Sequence, residues 1–233
     1  MHNMNPFPAT TQVICRYIAY LSRSKAFSTI QQHLAVISVI HRHIDEHNPT
    51  QGIMVRSLMK GVKRYKGTEQ KYKLTLSIQQ IQRMFELLCI ERTPDLQLWV
   101  MISMCFYGLL RIGAITVPSA SSYAENKILT RGDIQFVSNG CVLTFRYSKT
   151  IQYNEREFHA VLPSIPNNPA CPVKALQTFL QRSPTLDSTA PALAFIDVQG
   201  DIKVLTSTAA RSRLANIFRR IGLSASDYNT HIH

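Results

Sequence analysis

Apolar positions recur at three- and four-residue spacing through the first third of the chain and predict three helices. Residues 9–23 put Val13, Tyr17, Ile18 and Leu21 on one face, with Thr10 or Thr11 as the cap. Residues 28–46 carry a stripe of Ile30, Leu34, Ile37, Ile40 and Ile44; Ser28 is the expected cap, and Asn48-Pro49 closes the helix. Residues 53–65 turn Val55, Leu58, Met59 and Val62 inward and leave Arg56, Lys60, Lys63 and Arg64 on an exposed face. Residues 66–76 are polar and lose the helical period, as a linker does. Beyond them, residues 77–90 predict an amphipathic helix and 95–110 a helix apolar nearly all round, hence central. The period then drops to two. Residues 133–137 and 141–145 read as strands joined by a turn at Ser138-Asn139-Gly140, and 157–162 as a third strand after a polar loop at 148–156. Helices return at 172–181, with Pro172 in the first turn, and at 206–221. The expected class is α+β, mainly α with a small antiparallel sheet. A basic helical domain over residues 1–68 would be followed by a larger domain over 69–233.

Composition fits a chain that buries a core: 45% of the 233 residues are hydrophobic and 17% charged. The longest apolar stretch, residues 98–110, falls short of the roughly 20 residues a membrane span requires, so a core helix is expected and a membrane partner is not. The first ten residues have no basic cluster and no apolar stretch, unlike a secretory signal. The five scattered cysteines, never spaced C-x-x-C, argue against a disulfide framework or a cysteine zinc site and favour a reducing, intracellular setting. Charge is more telling. The net +12 is uneven, because residues 1–73 hold 11 Lys/Arg against three acids. Such an excess favours a polyanionic partner, and Arg56, Lys60, Lys63, Arg64 and Lys66 form the face that would meet it. His43 and His47 have the i, i+4 spacing of a helical zinc pair, but no third or fourth ligand is near in sequence. No metal is expected there.

Two short stretches carry candidate chemistry: Tyr107-Gly108-Leu109-Leu110-Arg111-Ile112-Gly113 at the end of the apolar helix, and Tyr147-Ser148-Lys149-Thr150 beyond the second strand. With Asp133-Ile134 between them, Cys171-Pro172-Val173-Lys174 and Leu205-Thr206 after them, and Tyr228-Asn229-Thr230-His231 last, they resemble in order the boxes of the tyrosine recombinases, or phage-integrase family, of the mobile-element type. The segment from Phe27-Ser28-Thr29-Ile30 to Lys60-Gly61-Val62-Lys63-Arg64 resembles that family's helical core-binding domain, and the remainder its catalytic domain.

The resemblance implies DNA integration and recombination, in which a tyrosine attacks a phosphodiester to give a phosphotyrosyl intermediate and free a 5′ oxygen. Arg111 would hold the non-bridging oxygens with a fork that keeps its proton at neutral pH. Lys149 would protonate the departing 5′ oxygen, and His231 would donate to the phosphate or relay a proton. No cofactor is implied. The implied partner is double-stranded DNA, with a homo-oligomer assembling on it, in the nucleus of a eukaryote or the cytoplasm and nucleoid of a bacterium. Ala114 and Thr116 stand where the family often has an acidic residue. The family's second arginine would fall three residues after His231, and its tyrosine further on. The 233 residues are therefore expected to represent a truncated, inactive form, with a catalytically dead DNA-binding or interaction module as the alternative. Truncation would leave Ile217, Ile221, Leu223 and part of the 98–110 helix exposed.

Overall fold

A computed structural model of the chain describes residues 8–44, 47–67, 74–121, 123–124, 127–146 and 157–228. It divides into two compact units, Met1–Lys71 and Tyr72–His233.

The first unit contains three α-helices, α1 (Thr11–Ser22), α2 (Phe27–His43) and α3 (Ile53–Lys66), with a 3-10 turn at Pro49–Gln51 before α3. Thr10 caps α1 by accepting the Val13 N–H. The α1 core positions are Ile14, Ile18 and Leu21, with Tyr17 half-buried beside them, so the stripe is centred on Ile14 rather than Val13. Helix α2 starts one residue before Ser28, and its N-cap Ala26 supplies no side-chain bond. Its inward stripe is Ile30, Leu34, Ile37 and His41, not a continuation through Ile40 and Ile44, which are exposed. The reason is geometric: positions 30, 34, 37 and 41 keep one face at 3.6 residues per turn and 40 lies about 80° off it, whereas Ile44 is the C-cap beyond the last helical residue. His41 is fully buried, and it accepts the Ala9 N–H on Nε2 (3.0 Å) and bonds the Ile37 carbonyl through Nδ1 (2.9 Å). That arrangement is the neutral Nδ1–H tautomer. Helix α2 ends at His43, so His47 lies off the helix and the i, i+4 pair is not formed. Among the described residues no group of three or more His, Cys, Asp or Glu is placed to hold a metal ion.

The second unit is built around α5 (Thr93–Tyr107), in which every residue from Leu96 to Cys105 is buried. Helix α4 (Ile78–Glu86) opens on a reciprocal cap between Ser77 and Gln80. It brings Phe85 edge-on to Trp99 at 4.9 Å between ring centroids. Strands β1 (Ile134–Val137), β2 (Gly140–Phe145) and β3 (Phe158–Pro163) form an antiparallel sheet in that order, with Ile134 opposite Leu143 and Leu143 opposite Ala160. Gly140, read from sequence as the end of the turn, is the first residue of β2. A Cβ there would collide with the Leu162 carbonyl. Helix α7 (Pro172–Gln181) packs on α5. Strands β4 (Phe195–Ile196) and β5 (Ile202–Lys203) form a small hairpin absent from the sequence reading. Helix α8 (Ser207–Arg220), capped by Thr206, also packs on α5.

The class is α+β, as the pattern predicts. The expected exposure of the last helix is contradicted: Ile217 and Ile221 are buried, Leu223 packs against the core, and 98–105 lies wholly inside. Helix α8 covers its own stripe against α5. The large apolar side chains that are exposed in this unit include Leu109, Phe136, Val137, Phe158 and Val161. Among the described residues no helix is long and apolar enough to cross a membrane.

Candidate phosphate-binding site and cationic face

Arg111 is delivered by the way α5 ends. The Leu110 N–H reaches back to the Cys105 carbonyl at 3.1 Å and the Gly108 N–H to Met104 at 3.0 Å. This is the six-to-one closure of a helix C-terminus, whose left-handed residue is usually glycine. Here Leu109 takes that conformation, with φ 52°, and is 68% exposed. The glycine lies one residue earlier, at φ −90°, because a Cβ on Gly108 would sit 2.8 Å from the Met104 carbonyl oxygen and 3.0 Å from Leu162. Leu110 then buries itself, and Arg111 emerges on the solvent side as N-cap of the short helix α6 (Ile112–Ile115). Its guanidinium makes no hydrogen bond or ion pair with any described residue. An arginine fixed at its Cα with a free fork is the arrangement that can accept two oxygens of an anion.

The segment after Arg111 is held by neutral groups. The Thr116 hydroxyl bonds the Ile112 carbonyl and the Ser207 hydroxyl, both at 2.7 Å, and Val117 pairs through its backbone with Leu205 and Ser207 at the start of α8. Thr116, buried at the position noted for lacking an acid, thus ties α6 to α8.

Lys149 and His231, with Ser148 and Thr150, lie outside the described residues. The residues flanking 147–156 are informative. Arg146, the last residue described before that stretch, forms an ion pair with Asp133 at 2.5 Å and approaches Glu157, the first described after it, at 3.8 Å. The Asp133 side chain is 2% exposed, and its other oxygen accepts the Thr130 N–H and hydroxyl at 2.9 and 2.7 Å. In the sequence, Asp133 reads as the start of a strand and as part of the Asp133-Ile134 box of the resemblance. It closes a 3-10 turn instead, and its role depends on Arg146, 13 positions away, which no local pattern singles out. Tyr228 accepts a bond from the Gln80 amide at 3.1 Å and packs its ring on Phe218.

Arg56, Lys60, Lys63 and Arg64 are exposed on α3, with Lys66 half-exposed at its end. Arg56, Lys60 and Lys63 form one side of a groove against α2, whereas Arg64 lies outside it. Other arginines have structural partners that sequence did not reveal, Arg131 and Arg182 among them. Arg131 donates to the carbonyls of Ser183 and Ala194, and burial lowers its pKa; Arg182 donates to those of Ile90 and Glu91.

The chain thus combines a helical unit carrying a cationic row with an α+β unit that presents Arg111 from the end of its central helix, unpaired among the described residues. No family model matches the chain. The chain is 26% identical over 182 residues to an integrase/recombinase xerD homolog of Selenomonas ruminantium, an alignment covering 77% of this chain and 50% of that protein. It thus spans about half the length of that relative. A crystal structure of XerA recombinase aligns with 99% of this chain and 67% of that one, at 14% identity and a TM-score of 0.41. The sequence similarity, together with the ordered boxes, supports the tyrosine recombinase family.

Proposed function

We propose that this chain engages DNA as part of a tyrosine-recombinase-type machine for DNA integration or recombination by strand cleavage and rejoining. Residues 1–68 serve as the core-binding domain, and 69–233 belong to the catalytic domain. The observation that carries the reading is Arg111, an exposed guanidinium without a partner among the described residues, set rigidly by the buried end of α5. Arg111 grips the non-bridging oxygens of the target phosphodiester. Lys149 gives a proton to the departing 5′ oxygen, and His231 donates to the same phosphate. Arg56, Lys60, Lys63, Arg64 and Lys66 lie along the phosphate backbone of double-stranded DNA, contributing affinity without reading sequence. Further copies assemble on the same DNA.

A polypeptide of these 233 residues binds DNA but does not cut it, because the family's second arginine and tyrosine nucleophile have no counterpart among them. The second reading, a DNA-binding module that has kept the fold without the chemistry, shares this behaviour. Extending the polypeptide through an H-x-x-R box and a downstream tyrosine separates the two, since only the first gains cleavage. The test uses a labelled suicide substrate on a denaturing gel. The 233-residue polypeptide is expected to give no covalent band, and a band surviving boiling overturns the assignment. In parallel, the triple variant Arg56→Ala, Lys60→Ala, Lys63→Ala should weaken binding to all duplexes alike and reduce the slope of log affinity against log salt by about three contacts' worth. An unchanged slope removes α3 from the interface.

A further inference from the structure

Three of the α3 cations, Arg56, Lys60 and Lys63, do not stand on an open helix face. They form one wall of a groove of about 610 Å3 whose floor is Phe27, Leu34, Val55 and Met59 and whose other wall, on α2 and the turn before α3, includes Gln31, Ala35 and Gln51. We propose that this groove holds unpaired nucleotides of a DNA strand, an inference that rests on the reading of the chain as a DNA-binding protein.

The argument is one of chemical matching. Arg56, Lys60 and Lys63 succeed one another by four and three residues, so they rise about 6 and 4.5 Å along the helix and form a single row for one strand's phosphates. Among the described residues no carboxylate lines the groove. Phosphates alone would satisfy that wall and leave the apolar floor facing a hydrophilic backbone. A base paired within a duplex cannot correct this, because its faces are stacked and only its edges are presented. An unpaired base brings an apolar face to Phe27 and Met59 while its phosphate stays with the cations, which is how grooves for single strands divide the work. The opposite wall suits base edges. The side-chain amides of Gln31 and Gln51 are exposed and make no hydrogen bond to any described residue, so each can still donate and accept. An acidic amphipathic helix would match the cations and the floor but would leave those amides unused.

The test measures anisotropy of the full 233-residue polypeptide with a labelled duplex and with the same duplex interrupted by a short single-stranded thymidine gap. The gapped duplex is expected to bind about tenfold tighter at equal salt. Ala35→Leu adds bulk to the groove from an exposed helical position and replaces none of its cations. It should abolish the preference while leaving intact-duplex affinity and its salt slope unchanged. Phe27→Leu, which keeps an aliphatic side chain in place, should reduce the preference severalfold. Equal affinity for gapped and intact duplex overturns the inference and leaves DNA binding standing. So does a preference that survives Ala35→Leu. A leucine- and glutamate-rich helical peptide that binds tighter than the gapped duplex, and loses its binding in Ala35→Leu, assigns the groove to a protein partner and overturns it too. Absence of salt-dependent binding to either DNA overturns the parent reading and this inference together.

Discussion

Leu109 is the residue at which local preference and tertiary demand disagree most plainly. A left-handed leucine costs about 1 kcal/mol relative to its ordinary conformations, and an exposed one recovers little of that by burial. It persists because Gly108 is already committed to the close approach of Met104 and Leu162, and because Leu110 must turn inward. Leu109→Gly should therefore raise stability by about 0.5–1 kcal/mol, read as a higher Tm in calorimetry. Gly108→Ala should lower it, since the contact at 2.8 Å is with backbone that cannot rotate aside. His41 illustrates the opposite case, a polar side chain made acceptable in the core by two backbone partners. Replacing it with alanine leaves the Ala9 N–H and the Ile37 carbonyl without this ring. The expected cost is about 2 kcal/mol by chemical denaturation.

At the level of elements, the end of β2 is tied by charge to the turn before β1. Arg146 links the buried carboxylate of Asp133 to the strand end and lies near Glu157, so three elements meet at one guanidinium. Removing one member of a buried pair strands the other. Because the Arg146 side chain is 51% exposed, the loss for Asp133→Asn should be moderate, about 2 kcal/mol. The double variant Asp133→Asn, Arg146→Gln should cost less than the sum of the singles if the pair acts as a unit, which a denaturation cycle would measure. Helix α3 makes a different point. Its inward residues Val55 and Val62 and its outward cations follow from one period, yet that period did not reveal that three of the five cations look into a groove with α2.

Over the whole molecule, the buried thiols couple stability to pH. Burial raises Cys105 strongly and pushes Cys141 up to about 11, from 9.0. Burial also opposes ionisation of Cys171, but the N–H groups of Ile165, Lys174 and Val173 outweigh it and bring that thiol below its usual value. For Cys141 and Cys105 the folded state holds its proton where the unfolded state releases it. Stability is therefore fully present below pH 9 and declines as pH rises toward 11, by at most about 1.4 kcal/mol per unit for each thiol. Urea titrations across that range should show the decline, and Cys141→Ala should flatten it.

The order and type of the long elements are legible in the local pattern of apolar residues. Helical and alternating periods are local, and they are strong where one face of an element is buried, as in α3, β2 and α7. The sequence also picked out Arg111 and the cations of α3, because an ordered set of short boxes and a lopsided charge are properties of the chain alone. What the tertiary structure decided was pairing. The inward turn of His41 in place of Ile40, and the burial of Ile217 and Ile221 against α5, each depend on residues distant in sequence. So do Asp133 with Arg146 and the apolar floor beneath the cationic row. A residue's periodicity says which way it faces along its own element. What it then meets is set by the packing of other elements, and with it whether a charge is solvated, paired or poised over a groove.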